Sequence, residues 1–186
     1  MNSESQDAVA GALCLRCGLC CDGTLFGSVE LKLEDDEERL RDLGLPIRPS
    51  RRPRFSQPCP ALDGNRSCQI YGERPCQCRK FECALFQSVS RGRTELAAAL
   101  RVVDRTRRKA DQVRMLLREL GETRETRPLS ARFHTLRRRM ESGGGESSAE
   151  WEEQLDRYAT LSLAVHELQR LLRREFYPDP SDLAEG

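Results

Sequence analysis

The apolar pattern of the chain changes character near residue 90. Beyond it, Leu96, Leu100, Val103, Ala110, Val113, Leu117 and Leu120 recur at spacings of three, four and seven. That spacing predicts one face of a helix over about 94–120, ended by Gly121. Pro128 separates it from a shorter helix over 130–141. Ser142 and Gly143–Gly145 form a flexible break, and Ser147 with Glu150 makes a capping box. A last helix is expected over 148–176, with Trp151, Leu155, Tyr158, Val165, Leu168 and Leu172 on one stripe, and a tail over 177–186. Arg107 and Arg114 fall where a continuous coiled-coil seam wants apolar residues. An intramolecular helical hairpin is therefore preferred to a long coiled coil. Docking on a protein partner, or a homodimer, through the same faces remains the alternative.

Before residue 90 no long period holds. Residues 1–12 are polar and read as a disordered lead-in. Thr24–Leu33 alternates partly, which suggests one or two short strands. Glu34–Leu43 reads as a short helix stopped by Gly44. Asp35, Asp36, Glu37 and Glu38 suit its first turn, a better role for them than oxygen ligands. Residues 45–60 carry five prolines and Arg48, Arg51, Arg52 and Arg54, an extended and irregular connection. Asp63-Gly64-Asn65 is a turn signal, and Gln69–Tyr71 a short strand. Arg74-Pro75 opens a turn or short helix, with Phe81, Leu85 and Phe86 as apolar cover. The expected fold is a small irregular α+β cysteine-cluster module, metal-stabilised, over 13–90, followed by an α-helical hairpin or bundle over 91–176.

Composition sharpens this. The chain has 186 residues, net charge +1, 38% hydrophobic and 33% charged residues, so its core is lean. No apolar run approaches the roughly 18–20 residues of a membrane span, and the N-terminus lacks the order of a signal peptide. A cytoplasmic protein with reduced thiols is expected, with no membrane partner. All nine cysteines lie between Cys14 and Cys83. An odd number of clustered, reduced cysteines points to metal rather than a disulfide framework.

A CxxC pair presents two thiolates to one ion from a single tight turn, and a following glycine tolerates positive φ. Cys14, Cys17 and Gly18 fit that description, and Cys17–Cys20 repeats the spacing. Adjacent Cys20 and Cys21 point in different directions in most backbone geometries, which leaves one of them for a second site. The number of thiols allows two ions with four thiolates each, a bridged dinuclear cluster, or one ion with spare thiols. An all-thiolate set favours zinc, iron, iron–sulfur or copper(I). The run is not the spacing of bacterial ferredoxins.

Cys14-x-x-Cys17-Gly18-x-Cys20-Cys21, then Cys59 with Leu62, then Cys68-x-Ile70-Tyr71-x-x-Arg74-Pro75-x-x-Cys78-Arg79-x-Phe81-x-Cys83, resembles the YkgJ family of CxxCxxCC proteins. The likeness covers about residues 14–86. It implies chelation of zinc, the first choice, or of iron or an iron–sulfur cluster, with one or two ions. The ligands it implies are Cys14, Cys17, Cys20, Cys21, Cys59, Cys68, Cys78 and Cys83. Cys76 stands at a variable position and is the supernumerary thiol. Within the motif, Tyr71, Arg74 and Arg79 are candidates to offset thiolate charge, or to pack locally.

The resemblance implies no reaction. A flagellin lysine N-methylase is similar to the family in its cysteines, but this chain has no glycine-rich loop of the methyltransferase type. His134 and His166 lie among charged helical residues without a nucleophile nearby, so an enzyme is the weaker reading. Nucleic-acid binding through Arg101, Arg105, Arg107, Arg108, Arg114, Arg137–Arg139, Arg170, Arg173 and Arg174 is also disfavoured. Acidic residues are interspersed among them, and stacking aromatics are sparse.

Overall fold

The computed structural model describes residues 3–142 and 149–177. Helix α1 (Ser3–Cys17) leads into the first cysteines. A two-stranded antiparallel sheet pairs β1 (Ser28–Glu30) with β2 (Arg54–Ser56), Val29 opposite Phe55, and the short helix α2 (Glu37–Asp42) lies between them in sequence. Then follow α3 (Cys76–Lys80), α4 (Ala84–Ser90), α5 (Leu96–Glu119), α6 (Leu129–Ser142) and α7 (Ala149–Glu175). The expected α+β character is present, as a largely helical molecule with one small sheet.

Helix α1 corrects the disordered lead-in. It has no apolar stripe and packs through its last turns: Leu13 is buried, and Val9 and Cys17 lie against the helical core. Tertiary contact, not propensity, makes it a helix. The partner strand β2 sits inside the proline- and arginine-rich connection, where Phe55 is buried. Tyr71–Glu73 forms a 3-10 turn instead of a strand. The carboxylates of the α2 region act as caps. Asp36 accepts from the Arg39 N–H, and Asp35 accepts from the Cys76 N–H at 2.6 Å, across to α3. Gly143–Gly145 and the capping box at Ser147 fall outside the described residues.

Helices α5 and α7 run antiparallel. Arg105 pairs with Glu175 and Lys109 with Glu167, so residue numbers rise on one helix as they fall on the other. Their facing stripes meet in a core containing Val103, Ala110, Val113, Leu117, Leu161, Leu168 and Leu172. Leu155 of the expected stripe is exposed instead, and Leu161 takes the buried place. This core does not stop at residue 90. Leu13, Leu19, Leu25, Leu85 and Val89 belong to it as well. A second, smaller core gathers Val29, Leu31, Leu40, Leu45, Ile47, Phe55 and Ala61 under the sheet.

The loop just after Cys21 is where the helices grip the N-terminal half. Asp22 receives Arg114 of α5 at 3.0 Å. The Leu129 N–H at the start of α6 donates to the Gly23 carbonyl at 3.0 Å. The Tyr177 hydroxyl, past the end of α7, donates to the Leu25 carbonyl at 3.2 Å. Arg107 donates to the carbonyls of Arg16 and Cys17, which the end of α1 leaves without helical partners. The two arginines that break the α5 seam thus face the cysteine knuckle.

Candidate metal centre

The knuckle begins where α1 stops. Gly18 has φ +67°, and a Cβ there would stand 2.9 Å from the Arg66 carbonyl oxygen, so the position demands glycine on two grounds. The Gly18 carbonyl then accepts from the N–H groups of Cys21 and Asp22 at 3.0 and 2.9 Å.

The thiols fall into two neighbourhoods. Cys14 and Cys17 are one helical turn apart at the end of α1, and Cys83 is the N-cap of α4, which packs on α1. Burial first, then the charge of neighbouring Cys83, pushes Cys14 up to about 11. Burial pushes Cys17 up to about 12, with Cys83 and Cys14 adding to it. Cys20 is raised well above its ordinary value by burial, then by Cys17, Cys21, Cys83 and Cys14. Cys21 is raised too, by burial first, but its next contributors are Cys59, Cys68 and Cys78. Burial pushes Cys78 up to about 12, with Cys59 and Cys68 next. The backbone agrees. The Cys59 N–H donates to the Cys21 carbonyl at 2.7 Å, and an antiparallel bridge from Leu62 to Cys68 returns Cys68 toward Cys59.

Several sulfurs already accept backbone hydrogen bonds. Leu19 N–H bonds to Cys17, Ala61 N–H to Cys59, and Leu85 and Phe86 N–H to Cys83, the last at 3.3 Å. Each bond favours the thiolate, against the burial that opposes it. Two cations approach as well. Arg107 lowers Cys17, while Arg74 lowers both Cys14 and Cys78. Arg74 stacks on the Tyr71 ring, 3.5 Å from its centroid, and donates to the Tyr71 carbonyl. Arg79 is exposed.

Between the two neighbourhoods lies a cavity of about 80 Å³. Seven cysteines line it, Cys14, Cys17, Cys20, Cys21, Cys68, Cys78 and Cys83, with Arg74 and the buried Gln57. Cys76 is elsewhere. It is buried beneath Glu34 and Lys80, whose side chains hydrogen-bond to it. His134 and His166 are exposed on α6 and α7.

The sequence profile described as "Putative zinc- or iron-chelating domain", CxxCxxCC, matches residues 13–109. The chain belongs to the CxxCxxCC, or YkgJ, family. No curated protein and no solved structure matches it. The CxxCxxCC match extends past the motif at 14–86 into the first half of α5, which carries Arg107 to the knuckle.

A family of this description calls for a zinc or iron ion, and the donor chemistry fits one. Soft sulfur donors are gathered, partly desolvated, with N–H groups and arginines at hand to support charge. Among the described residues, no three His, Cys, Asp or Glu side chains close around one point at ligand spacing. The thiols are neighbours rather than a finished coordination shell.

Proposed function

We propose that this CxxCxxCC protein is a zinc chelator in which the ion holds the cysteine segment closed, with Cys14, Cys17, Cys20, Cys21, Cys59, Cys68, Cys78 and Cys83 as ligands. The observation that carries this is the convergence of seven of these thiols, from α1, the knuckle, Cys68, α3 and the start of α4, on one cavity, with Cys59 tied to Cys21 through the backbone. Half-buried thiols with raised pKa values are neutral in the absence of a cation. A bound ion displaces their protons to solvent and stabilises the thiolates, so metal binding becomes folding free energy. Helices α5–α7 serve as the clamp on the knuckle, which gives them a role within the chain itself.

Metal content of the purified protein, with its visible spectrum, tests the reading. Zinc in a colourless protein is expected. A brown protein containing iron, with visible absorbance, would replace zinc by an iron-based centre on the same thiols. A chain that neither contains nor binds zinc or iron would overturn chelation altogether.

A further inference from the structure

We propose that the eight thiols hold two ions in two separate four-sulfur sites, one made by Cys14, Cys17, Cys20 and Cys83 and the other by Cys21, Cys59, Cys68 and Cys78. This rests on the chelating role proposed above and adds which cysteines share an ion. The division does not follow chain order. It cuts between adjacent Cys20 and Cys21, and it sends Cys83, the last cysteine, back to join the first three.

Three observations support the cut. Cys17, Cys20 and Cys83 pack against the helical core, whereas Cys59 and Cys78 pack against the smaller core under the sheet. Cys14 and Cys17 share a face of α1 three residues apart, and α4 lays its N-cap Cys83 beside that helix. Cys21 is tied to Cys59 through the 2.7 Å backbone bond, and Cys68 returns beside Cys59 through the bridge to Leu62. Arg74 lines the cavity together with Cys14 of one group and Cys78 of the other. It offsets the excess negative charge that four thiolates leave on a divalent ion. Cys76 belongs to neither site. It is buried, it does not line the cavity, and its N–H is held by Asp35 at 2.6 Å.

The test uses cobalt(II) and zinc with the full reduced chain under argon. The wild type should take up two cobalt equivalents with thiolate charge-transfer bands. X-ray absorption of the zinc form should show sulfur at about 2.3 Å and no metal–metal shell. The paired variants C17S/C83S and C59S/C78S should each retain one equivalent, and C76S should retain two. Should a paired variant fail to fold, alkylation mapping on wild type decides. As a chelator withdraws metal stepwise, thiols should become labelled in fours, Cys21, Cys59, Cys68 and Cys78 as one group and Cys14, Cys17, Cys20 and Cys83 as the other.

A metal–metal shell, loss of both ions from either paired variant, or labelling that mixes the groups would overturn the partition in favour of a bridged cluster while leaving chelation intact. Uptake of a single equivalent by wild type would overturn it as well. No uptake of either metal by wild type would overturn both readings.

Discussion

The two halves of the cysteine segment rest on different supports. The side that carries Cys14, Cys17, Cys20 and Cys83 is set into a core of 21 buried residues shared with α5, α6 and α7. The side that carries Cys21, Cys59, Cys68 and Cys78 leans on seven buried residues, a two-stranded sheet and short helices. Apolar burial, at about 25 cal/mol per Å², supports the first more than the second. The second is of the size at which natural domains need a staple. Similar thiol chemistry is therefore expected to have unequal structural consequences on the two sides.

The largest expected effect breaks this comparison open. Removing metal with a chelator should free the sheet lobe, about residues 28–80, and leave the helical hairpin folded. Structural zinc in small modules contributes about 10–16 kcal/mol, so its loss is not absorbed locally. Hydrogen exchange should lose on the order of 100-fold or more protection over the sheet lobe, with α5 and α7 nearly unchanged. Proteolysis should enter first at the exposed 48–54 loop. Uniform loss of protection across both lobes would show that the helices depend on metal too. No change anywhere would show that metal is not structural.

Next in size is the knuckle turn itself. Gly18→Ala places a Cβ at positive φ and 2.9 Å from the Arg66 carbonyl. The left-handed conformation alone costs about 1–2 kcal/mol, and the backbone contact adds to it. A loss of about 3 kcal/mol is expected, with reduced metal retention, because both cysteine neighbourhoods start from this turn. Gly44→Ala is the control: φ is +85°, but nothing lies within 4 Å. It should cost only the conformational part, and equal losses at the two glycines would refute the close-approach argument.

How legible these features were in the sequence depends on how local they are. The need for Gly18 after a CxxC pair, the stop at Gly121, and the helical stripe of α5 are set by neighbours in the chain and can be read from spacing. Helix α1 could not be read so, because its contacts through Val9, Leu13 and Cys17 are to distant parts of the chain. Strand β2 was hidden for a similar reason. Arg54, Phe55 and Ser56 sit among prolines, and only pairing with Ser28–Glu30 makes them a strand. Arg107 and Arg114 looked like faults in a seam, and they become intelligible once α1 and Asp22 are placed beneath them. The placement of Cys21 beside Cys59, through the bond from the Cys59 N–H to the Cys21 carbonyl, is non-local in the same way. The doublet Cys20-Cys21 was its one local signal.

Asp22 tests the joint between the two supports. It is 11% exposed, receives Arg114 and Arg66, and accepts from the Thr24 N–H. Arg66 and Arg114 in turn share Asp111, closing a ring of four charges between the 63–68 turn, the knuckle and α5. Asp22→Ala leaves two arginines partly buried with one carboxylate. A loss of about 2 kcal/mol is expected, roughly 4–8 °C in melting temperature for a chain of this size. A shift smaller than about 1 °C would show that the ring is solvated decoration and that the joint lies in the apolar contacts alone.

The smallest effect, at Lys109, is read against its neighbour Arg107 within one helix. Arg107 and Lys109 are two residues apart on α5 and turn to different neighbours. Arg107 reaches the carbonyls of Arg16 and Cys17, and Lys109 bridges to Glu167 of α7. The Arg107 bonds are charge-assisted and satisfy helix-end carbonyls beside a thiol, so Arg107→Met should cost about 1.5–3 kcal/mol. The Lys109 pair is largely solvated on the Glu167 side, 47% exposed, and Lys109→Met should cost no more than about 0.5 kcal/mol. The metal readout separates the two variants further. Only the Arg107 change should weaken cobalt binding, because only Arg107 supports the carbonyl and charge environment of Cys17. Equal behaviour of both variants would mean that α5 serves the hairpin alone and that its hold on the knuckle is incidental.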